Sequence, residues 1–365
     1  MAEKYITQSK LKKNTLSDIF IIILNKKQTT RREIEYETGF SWGTVSSNIA
    51  FLLEKGYIVE EKSEQSGNVG RSTYTLKPAS EGIVSIGLDI NRSGLSCEVV
   101  GLDSVVKNNF TADFSATTQS ELIREAENIC QRAIEWCKNN EQKIFSMGIA
   151  IQGAVDGRHG ISLKFPGISD WKAYNIKDHF AQKFDLPVYL GHDPKCMLLG
   201  EICLQKSDNC LLVRIDDGIG MAVSLDGKIL DDTERLEIGH TVSVPNGKIC
   251  SCGKRGCLEK YASVSAIAES ANTSKAEIFA CPEKYESEIT DAGDHMSLAL
   301  YNMYVIFKPQ KMILTSECVH LEKYVERAIS LVKNEDLEIC IKHDVSAAYG
   351  AAVESMKSAV KAFVI

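Results

Sequence analysis

Three cysteines within eight residues, Cys250-Ser-Cys252-Gly253-Lys-Arg-Gly256-Cys257, constrain this chain more than any other stretch. The two glycines let the backbone wrap tightly, and His240 stands ten residues upstream. Thiolate and imidazole suit zinc, and four protein ligands close a structural tetrahedron. The expectation is therefore a structural Zn2+ site made by His240, Cys250, Cys252 and Cys257. The alternatives are a reduced cysteine cluster or a redox disulfide, although Cys250 and Cys252 lack the C-x-x-C spacing of redox motifs. With every ligand position filled by protein, no metal-activated water and no catalytic metal are expected. The metal instead fixes a loop.

The chain has 365 residues and twelve cysteines. Outside the cluster, Cys97, Cys130, Cys137, Cys196, Cys203 and Cys210 are scattered among apolar residues and read as buried thiols. Hydrophobic residues make up 44% and charged residues 25%, which excludes a disordered chain and allows two or three domains. The apolar run Ile19 to Leu24 is six residues long, far short of the roughly 20 that a membrane span needs. The basic N-terminus is followed by no apolar core or cleavage site, so a soluble, cytoplasmic protein with no membrane partner is expected. Residues 1–80 hold 12 Lys+Arg against 9 Asp+Glu, whereas the remainder holds 30 against 40. A mildly basic head on an acidic body suits a nucleic-acid-binding domain joined to something else.

The head has the pattern of a winged helix-turn-helix. Residues Thr15 to Leu24 supply a buried first helix. Thr30 and Glu33 form a capping-box pair opening a second helix that Gly39 ends. Ser41 opens a third, with Val45, Ile49, Leu52 and Leu53 at helical spacing. Two strands, YIVEEKS and RSTYTLKP, flank a QSGNVG tip and make the wing. Ser41, Trp42, Thr44, Ser46, Ser47 and Asn48 lie at the start of the recognition helix, where small polar side chains reach base edges. Lys12, Lys13, Arg31, Arg32 and Arg71 are placed to meet phosphates. The expected partner is double-stranded operator DNA; the competing reading is a small helical module for protein contacts.

Beyond residue 80 the texture becomes α/β. Apolar strands at 83–90 and 95–103 precede a long amphipathic helix, Ser120 to Asn139. Further strand, loop and helix segments follow through residue 205, then a hairpin around Gly218 and Gly220. Residues 271–365 read as largely helical, with one strand at KMILTS.

The segment Glu237 to Ser263, EIGHTVSVPNGKICSCGKRGCLEKYAS, carries complete E-x-G-H and C-x-C-G-x-x-G-C-x-E patterns. It resembles the signature of the ROK family of repressors and sugar kinases, in its transcriptional-regulator branch. GIAIQGAVDG at 148–157, Pro166 with Trp171, DDGIG at 216–220 and AYGAAVESM near the end extend the likeness over nearly the whole chain. The resemblance implies an α/β protein in which the winged head is followed by a two-lobed, actin-like (hexokinase/RNase H-like) domain with its ligand between the lobes. It implies boundaries at 1–80 for the head, 81–192 with a C-terminal helix about 348–365 for lobe 1, and 193–347 for lobe 2 with the zinc loop. It also implies that Glu237, His240 and Glu259 face sugar hydroxyls, with the metal bond orienting His240. His192-Asp193 stands where the family has Asn-Asp. Asp193 matches the carboxylate that serves the kinases as general base, and His192 changes the hydrogen-bonding geometry.

Three departures separate this chain from the kinases of the family. The D-x-G-G-T phosphate turn is replaced by Asp89-Ile90-Asn91-Arg92-Ser93. The G-T-G loop is replaced by Asp216-Asp217-Gly218, and the late glycine-rich segment by Leu314-Thr315-Ser316-Glu317. Lost glycines deny a phosphate close backbone approach, and added carboxylates repel it. These departures point to a regulator, not an enzyme and with no catalytic residues. The resemblance implies a repressor of carbohydrate-metabolism genes whose effector is a sugar or sugar derivative, and paired half-sites make a homodimer the default assembly. An ATP-dependent sugar kinase with a DNA-binding head, and a regulator controlled by a protein partner, are the competing readings.

Overall fold

A computed structural model describes residues 8–62, 74–113, 116–204, 208–230, 236–333 and 335–363. The chain divides into two compact units. One comprises Met1–Gly153, Arg158–Gly191 and Ala348–Ile365; the other comprises Ala154–Gly157 and His192–Ala347.

The first unit begins with three helices, α1 (Gln8–Lys26), α2 (Arg31–Thr38) and α3 (Trp42–Glu54), then an antiparallel pair, β1 (Ile58–Lys62) and β2 (Tyr74–Pro78). The Thr30 side chain accepts from the Glu33 backbone while the Glu33 carboxylate accepts from the Thr30 backbone, so α2 starts on a complete capping box. Gly39 ends that helix in a left-handed conformation, φ 67°. Val45, Ile49 and Leu52 are the buried face of α3, which packs against α1 and α2, where Ile19, Ile23 and Ile34 are buried too. The QSGNVG tip lies outside the described residues.

The same unit continues into a five-stranded sheet built from β3 (Ile83–Asn91), β4 (Gly94–Gly101), β5 (Val106–Ala112), β6 (Lys143–Ile151) and β10 (Val188–His192), in the order β10-β6-β3-β4-β5. The strand β3 pairs parallel to β6 and antiparallel to β4. It is buried from Ile83 to Ile90, which fits its nearly continuous apolar sequence, interrupted by Ser85 and Asp89. Helix α4 (Gln119–Asn139) turns Leu122, Ala126, Ile129 and Ala133 inward. The C-terminal helix α12 (Ala347–Phe363) packs so tightly on the sheet that Gly87 and Gly148, paired across β3 and β6, are required. A Cβ at either would lie 1.9 Å from a carbonyl oxygen of α12, that of Ala348 or Ala351. Ser85, Ser146 and Ser355 satisfy one another beneath it at 2.7 and 2.8 Å. The head is tied to this sheet: Ser17 donates to the Val360 carbonyl at 3.2 Å, and the Tyr57 ring sits 5.6 Å from that of Phe145. The remaining short elements of this unit are β8 (Ile161–Lys164), β9 (Tyr174–Asn175) and α5 (Ile176–Phe184), with β8 antiparallel to β9, whereas β7 (Ala154–Asp156) belongs to the second unit.

The second unit is framed by a sheet ordered β13-β12-β11-β14-β15, formed by β11 (Cys210–Ile215), β12 (Ile219–Leu225), β13 (Lys228–Ile229), β14 (Lys311–Thr315) and β15 (Glu338–Lys342). The strand β15 is a second strand in the region expected to hold only one. Its Ile339 and Ile341 are spaced like an edge strand, but the charged stretch around them masks the signal. Helix α6 (Asp193–Leu204) follows β10 directly, without the loop the sequence suggested. Helices α7 (Glu259–Ala262), α8 (Val264–Ser270), α9 (Lys275–Ala280), α10 (Glu286–Phe307) and α11 (Glu322–Ala328) complete the unit. Leu211, Val213, Met296, Leu300, Leu314 and the fully buried Tyr324 are part of its core. The Tyr324 hydroxyl donates to the Ala262 carbonyl at 2.7 Å, pinning the end of α7.

Candidate metal centre and ligand site

The loop from 237 to 258 folds around its own small residues. Gly253 and Gly256 adopt φ of 84° and 79°, and a Cβ on Gly256 would lie 1.8 Å from the Val244 carbonyl oxygen. The Gly256 carbonyl accepts from the backbone N–H of Ser243 and of Val244, the Cys250 N–H donates to the Lys254 carbonyl, and Leu258 N–H reaches Thr241. These bonds bring His240, Cys250, Cys252 and Cys257 together, with one ligand atom from each lying within 4.8 Å of all the others. Cys250 Sγ is 3.7 Å from His240 Nδ1, and Cys252 Sγ is 3.6 Å from Cys257 Sγ. A tetrahedral zinc with bonds of about 2.3 Å to sulfur needs sulfur-to-sulfur edges near ~3.8 Å, so the donor set and its spacing fit that ion. All twelve cysteines are free thiols, and 3.6 Å is far beyond a disulfide bond. Burial and the neighbouring thiols push Cys257 up to about 12. A cation is what would let several thiolates share this space.

Beside the loop, Glu259 opens α7 and its Oε2 accepts from the Ile219 N–H at 3.3 Å, against Gly218. A Cβ at Gly218 would lie 3.1 Å from that oxygen. Glu237 precedes the short turn carrying His240. Burial holds both glutamates above the usual carboxylate range, opposed by His240. The other side of the β11–β12 hairpin meets Pro194 and His192, which lie nearest to where a Cβ on Gly220 would stand. His192 is pushed down to about 4 by burial and by Arg214, and is neutral at physiological pH.

Asp193, the first residue of α6, is 2% exposed. Its Oδ2 is bonded to the guanidinium Nη1 of Arg214. Arg214 Nε lies 2.6 Å from Asp216 Oδ2, and Asp216 Oδ1 accepts from the Glu317 N–H at 2.9 Å. Next in the chain, Asp217 receives the Ser265 hydroxyl at 2.5 Å and pairs with Lys275 at 2.5 Å. Sequence reasoning passed over Arg214 and Lys275. The signal for Arg214 was one charge in the otherwise apolar strand Cys-Leu-Leu-Val-Arg-Ile, since a buried charge requires a partner. In the first unit, side-chain hydrogen bonds hold the Asp89–Ser93 turn. Asn91 Nδ2 donates to Asp89 at 2.8 Å, the Ser93 N–H to Asn91 at 2.8 Å, and the Arg92 N–H to Gln152 at 3.0 Å.

On the head, Ser41, Trp42 and Ser47 are exposed, while Thr44, Ser46 and Asn48 are half-buried. Ser41 is the N-cap of α3, accepting from the Thr44 N–H at 3.3 Å, and Asn48 donates back to the Thr44 carbonyl at 2.8 Å. Arg31 is paired with Glu60, and Arg32 is exposed. Lys12 and Lys13 lie on α1, but their side chains, like the whole of Arg71, fall outside the described residues. Tyr36, 94% exposed on α2, is a further surface aromatic that the sequence reading did not single out. No helix among the described residues is long and apolar enough to cross a membrane.

The ROK family model matches residues 85–345. The chain belongs to the ROK family. A xylose repressor of Bacillus spizizenii is 24% identical over 325 residues, covering 84% of this chain and 83% of that protein. A solved ROK family transcriptional regulator, described as a homolog of the E. coli MLC protein, superposes with a TM-score of 0.82 at 20% identity, covering 96% of this chain and 97% of that one. A ROK family glucokinase from Streptomyces griseus, solved with glucose and AMPPNP, gives 0.64 at 20% identity and covers 99% of its own length but 74% of this chain. This ROK chain thus shares its mixed α/β fold with both, and it is longer than the part the kinase matches.

Proposed function

We propose that this ROK protein is a DNA-binding transcriptional regulator, a repressor of carbohydrate-metabolism genes whose operator affinity is set by a sugar or sugar derivative. The observation that carries the reading is coverage: the regulator fold accounts for 96% of the chain and the kinase fold for 74%. In this reading residues 1–80 are a winged helix-turn-helix with α3 as the recognition helix. Residues 81–192 with 348–365 form one lobe, and 193–347 the other. Ser41, Trp42, Thr44, Ser46, Ser47 and Asn48 face bases, and Lys12, Lys13, Arg31, Arg32 and Arg71 face phosphates. Asp193, His192, Glu237, His240 and Glu259 contact the effector, and a structural zinc on His240, Cys250, Cys252 and Cys257 holds the loop between the two glutamates. The chain acts as a homodimer on paired half-sites.

Phosphoryl transfer is disfavoured because the would-be phosphate loop carries Asp216 and Asp217, tied to Arg214 and Lys275. Selection of genomic fragments by the zinc-loaded protein, followed by sequencing, tests the reading. A recurrent two-fold site, released by a carbohydrate, is expected. Retention of DNA without sequence preference would overturn it.

A further inference from the structure

The Arg214 ion pair bears on which form of a carbohydrate the site accepts, an inference that rests on the effector reading above. Asp193 is almost wholly buried, and a guanidinium beside it keeps it ionised, because arginine does not give up its proton in proteins. An ionised carboxylate only accepts hydrogen bonds. Arg214 occupies Oδ2, whereas Oδ1 has no hydrogen-bond partner. His192 Nε2 stands 3.3 Å from Oδ1 without bonding to it. Oδ1 is thus an orphaned acceptor that a ligand hydroxyl or ammonium would complete.

A phosphate group in place of that hydroxyl cannot do this, because at neutral pH it is mostly a dianion that accepts and does not donate. The two cations of this chain of ion pairs are already engaged. Arg214 is shared between Asp193 and Asp216, and Lys275 between Asp217 and, at 4.0 Å, Glu317. In this chain of ion pairs among the described residues, Asp193, Asp216, Asp217 and Glu317 share Arg214 and Lys275.

We propose that Arg214 is a positioning residue that keeps Asp193 an acceptor, so that the site takes an unphosphorylated carbohydrate donating a hydroxyl to Asp193 Oδ1 and rejects the phosphate ester of that hydroxyl. The pair Arg214–Asp216 acts as the anchor, holding the guanidinium from behind while Asp193 faces the ligand. The specificity is built by exclusion of a second acceptor and not by shape alone.

Calorimetry on the full-length, zinc-loaded protein tests this with two matched pairs, D-glucose against glucose 6-phosphate and N-acetyl-D-glucosamine against its 6-phosphate. At least one free sugar binds, and its ester binds at least about tenfold more weakly. Asp193→Asn, which supplies an amide donor, narrows that ratio severalfold. Arg214→Met weakens the free sugar, and Arg214→Lys restores part of it; a purely structural role would weaken both forms equally. Melting curves and zinc content establish that each variant is folded, and the wild-type ratio needs no variant. An ester that binds as tightly as its parent sugar, or a ratio unmoved by Asp193→Asn, overturns the proposal while leaving the regulator reading intact. Silence of all four compounds overturns it together with the sugar half of that reading, and sequence-specific DNA retention then judges the remainder.

Discussion

Arg214 joins Asp193 to Asp216, its Nη1 on one carboxylate and its Nε 2.6 Å from the other, with all three side chains nearly buried. A buried ion triad of this kind adds little net stability, but breaking it strands charge in a place that cannot solvate it. Arg214→Met leaves two carboxylates without their cation, and a loss of about 3–5 kcal/mol in urea unfolding is expected. A loss below about 1 kcal/mol would mean that water reaches the pair.

Removing the metal tests the loop. Three thiolates and one imidazole at these spacings should retain one zinc per chain through gel filtration, measured by atomic emission. Chelation, or Cys257→Ser, should lower the melting temperature by several degrees and expose the 237–258 loop to protease. Because Cys257 is held up near 12 without a cation, zinc uptake should release protons and weaken as pH falls. A chain that purifies without zinc and melts unchanged in chelator would contradict the assignment.

The paired glycines beneath α12 give a sharper stability test. Gly148→Ala places a methyl 1.9 Å from the Ala351 carbonyl oxygen, which only displacement of the helix can relieve. A loss above about 2 kcal/mol, or insoluble protein, is expected. Gly43→Ala, where nothing lies within 4 Å, is the matched control and should fold normally.

His192 carries a pH dependence with a defined sign. Its folded value, about 4, lies below the unfolded value of 6.5, so below pH 6.5 the unfolded chain takes up a proton that the native chain refuses. Stability is unaffected above pH 7, falls as pH drops from 6.5 to 4, and has lost about 3 kcal/mol at the end of that window. The difference between wild type and His192→Gln, followed by urea unfolding across this range, should show the slope. Parallel curves would place the imidazole in water.

Salt dependence should separate the two proposed classes of DNA contact. Arg32→Ala should weaken binding to all sequences and reduce the slope of log affinity against log salt by about 1. Ser47→Ala should instead change base preference at one position with the slope unaltered. Ser41→Ala removes a helix cap as well, so it should lower the stability of the head by about 1 kcal/mol. Equal effects of Arg32→Ala and Ser47→Ala on the slope would put Ser47 on the backbone.

What the sequence disclosed follows how local each signal is. The capping box at Thr30 and Glu33, the buried face Val45-Ile49-Leu52 and the apolar β3 are all short-range patterns, and each stands where its pattern places it. The cluster of His240 with three cysteines was legible because its members fall within eighteen residues and are chemically rare. The partners of Arg214 were not. Asp193 lies 21 residues away in the chain, and only the packing of α6 on the β11–β12 hairpin brings it near. Ile339 and Ile341 were hidden for the opposite reason, a short alternation inside a charged stretch that pairs with β14 through tertiary contact.

The hydrogen bond from Ser17 to Val360 ties the head to α12, whose other end lies on Gly87 and Gly148. One helix thus serves two partners within the first unit: its start closes over the glycines of the sheet and its end anchors α1, so the three-helix head and the five-stranded sheet share a single structural element.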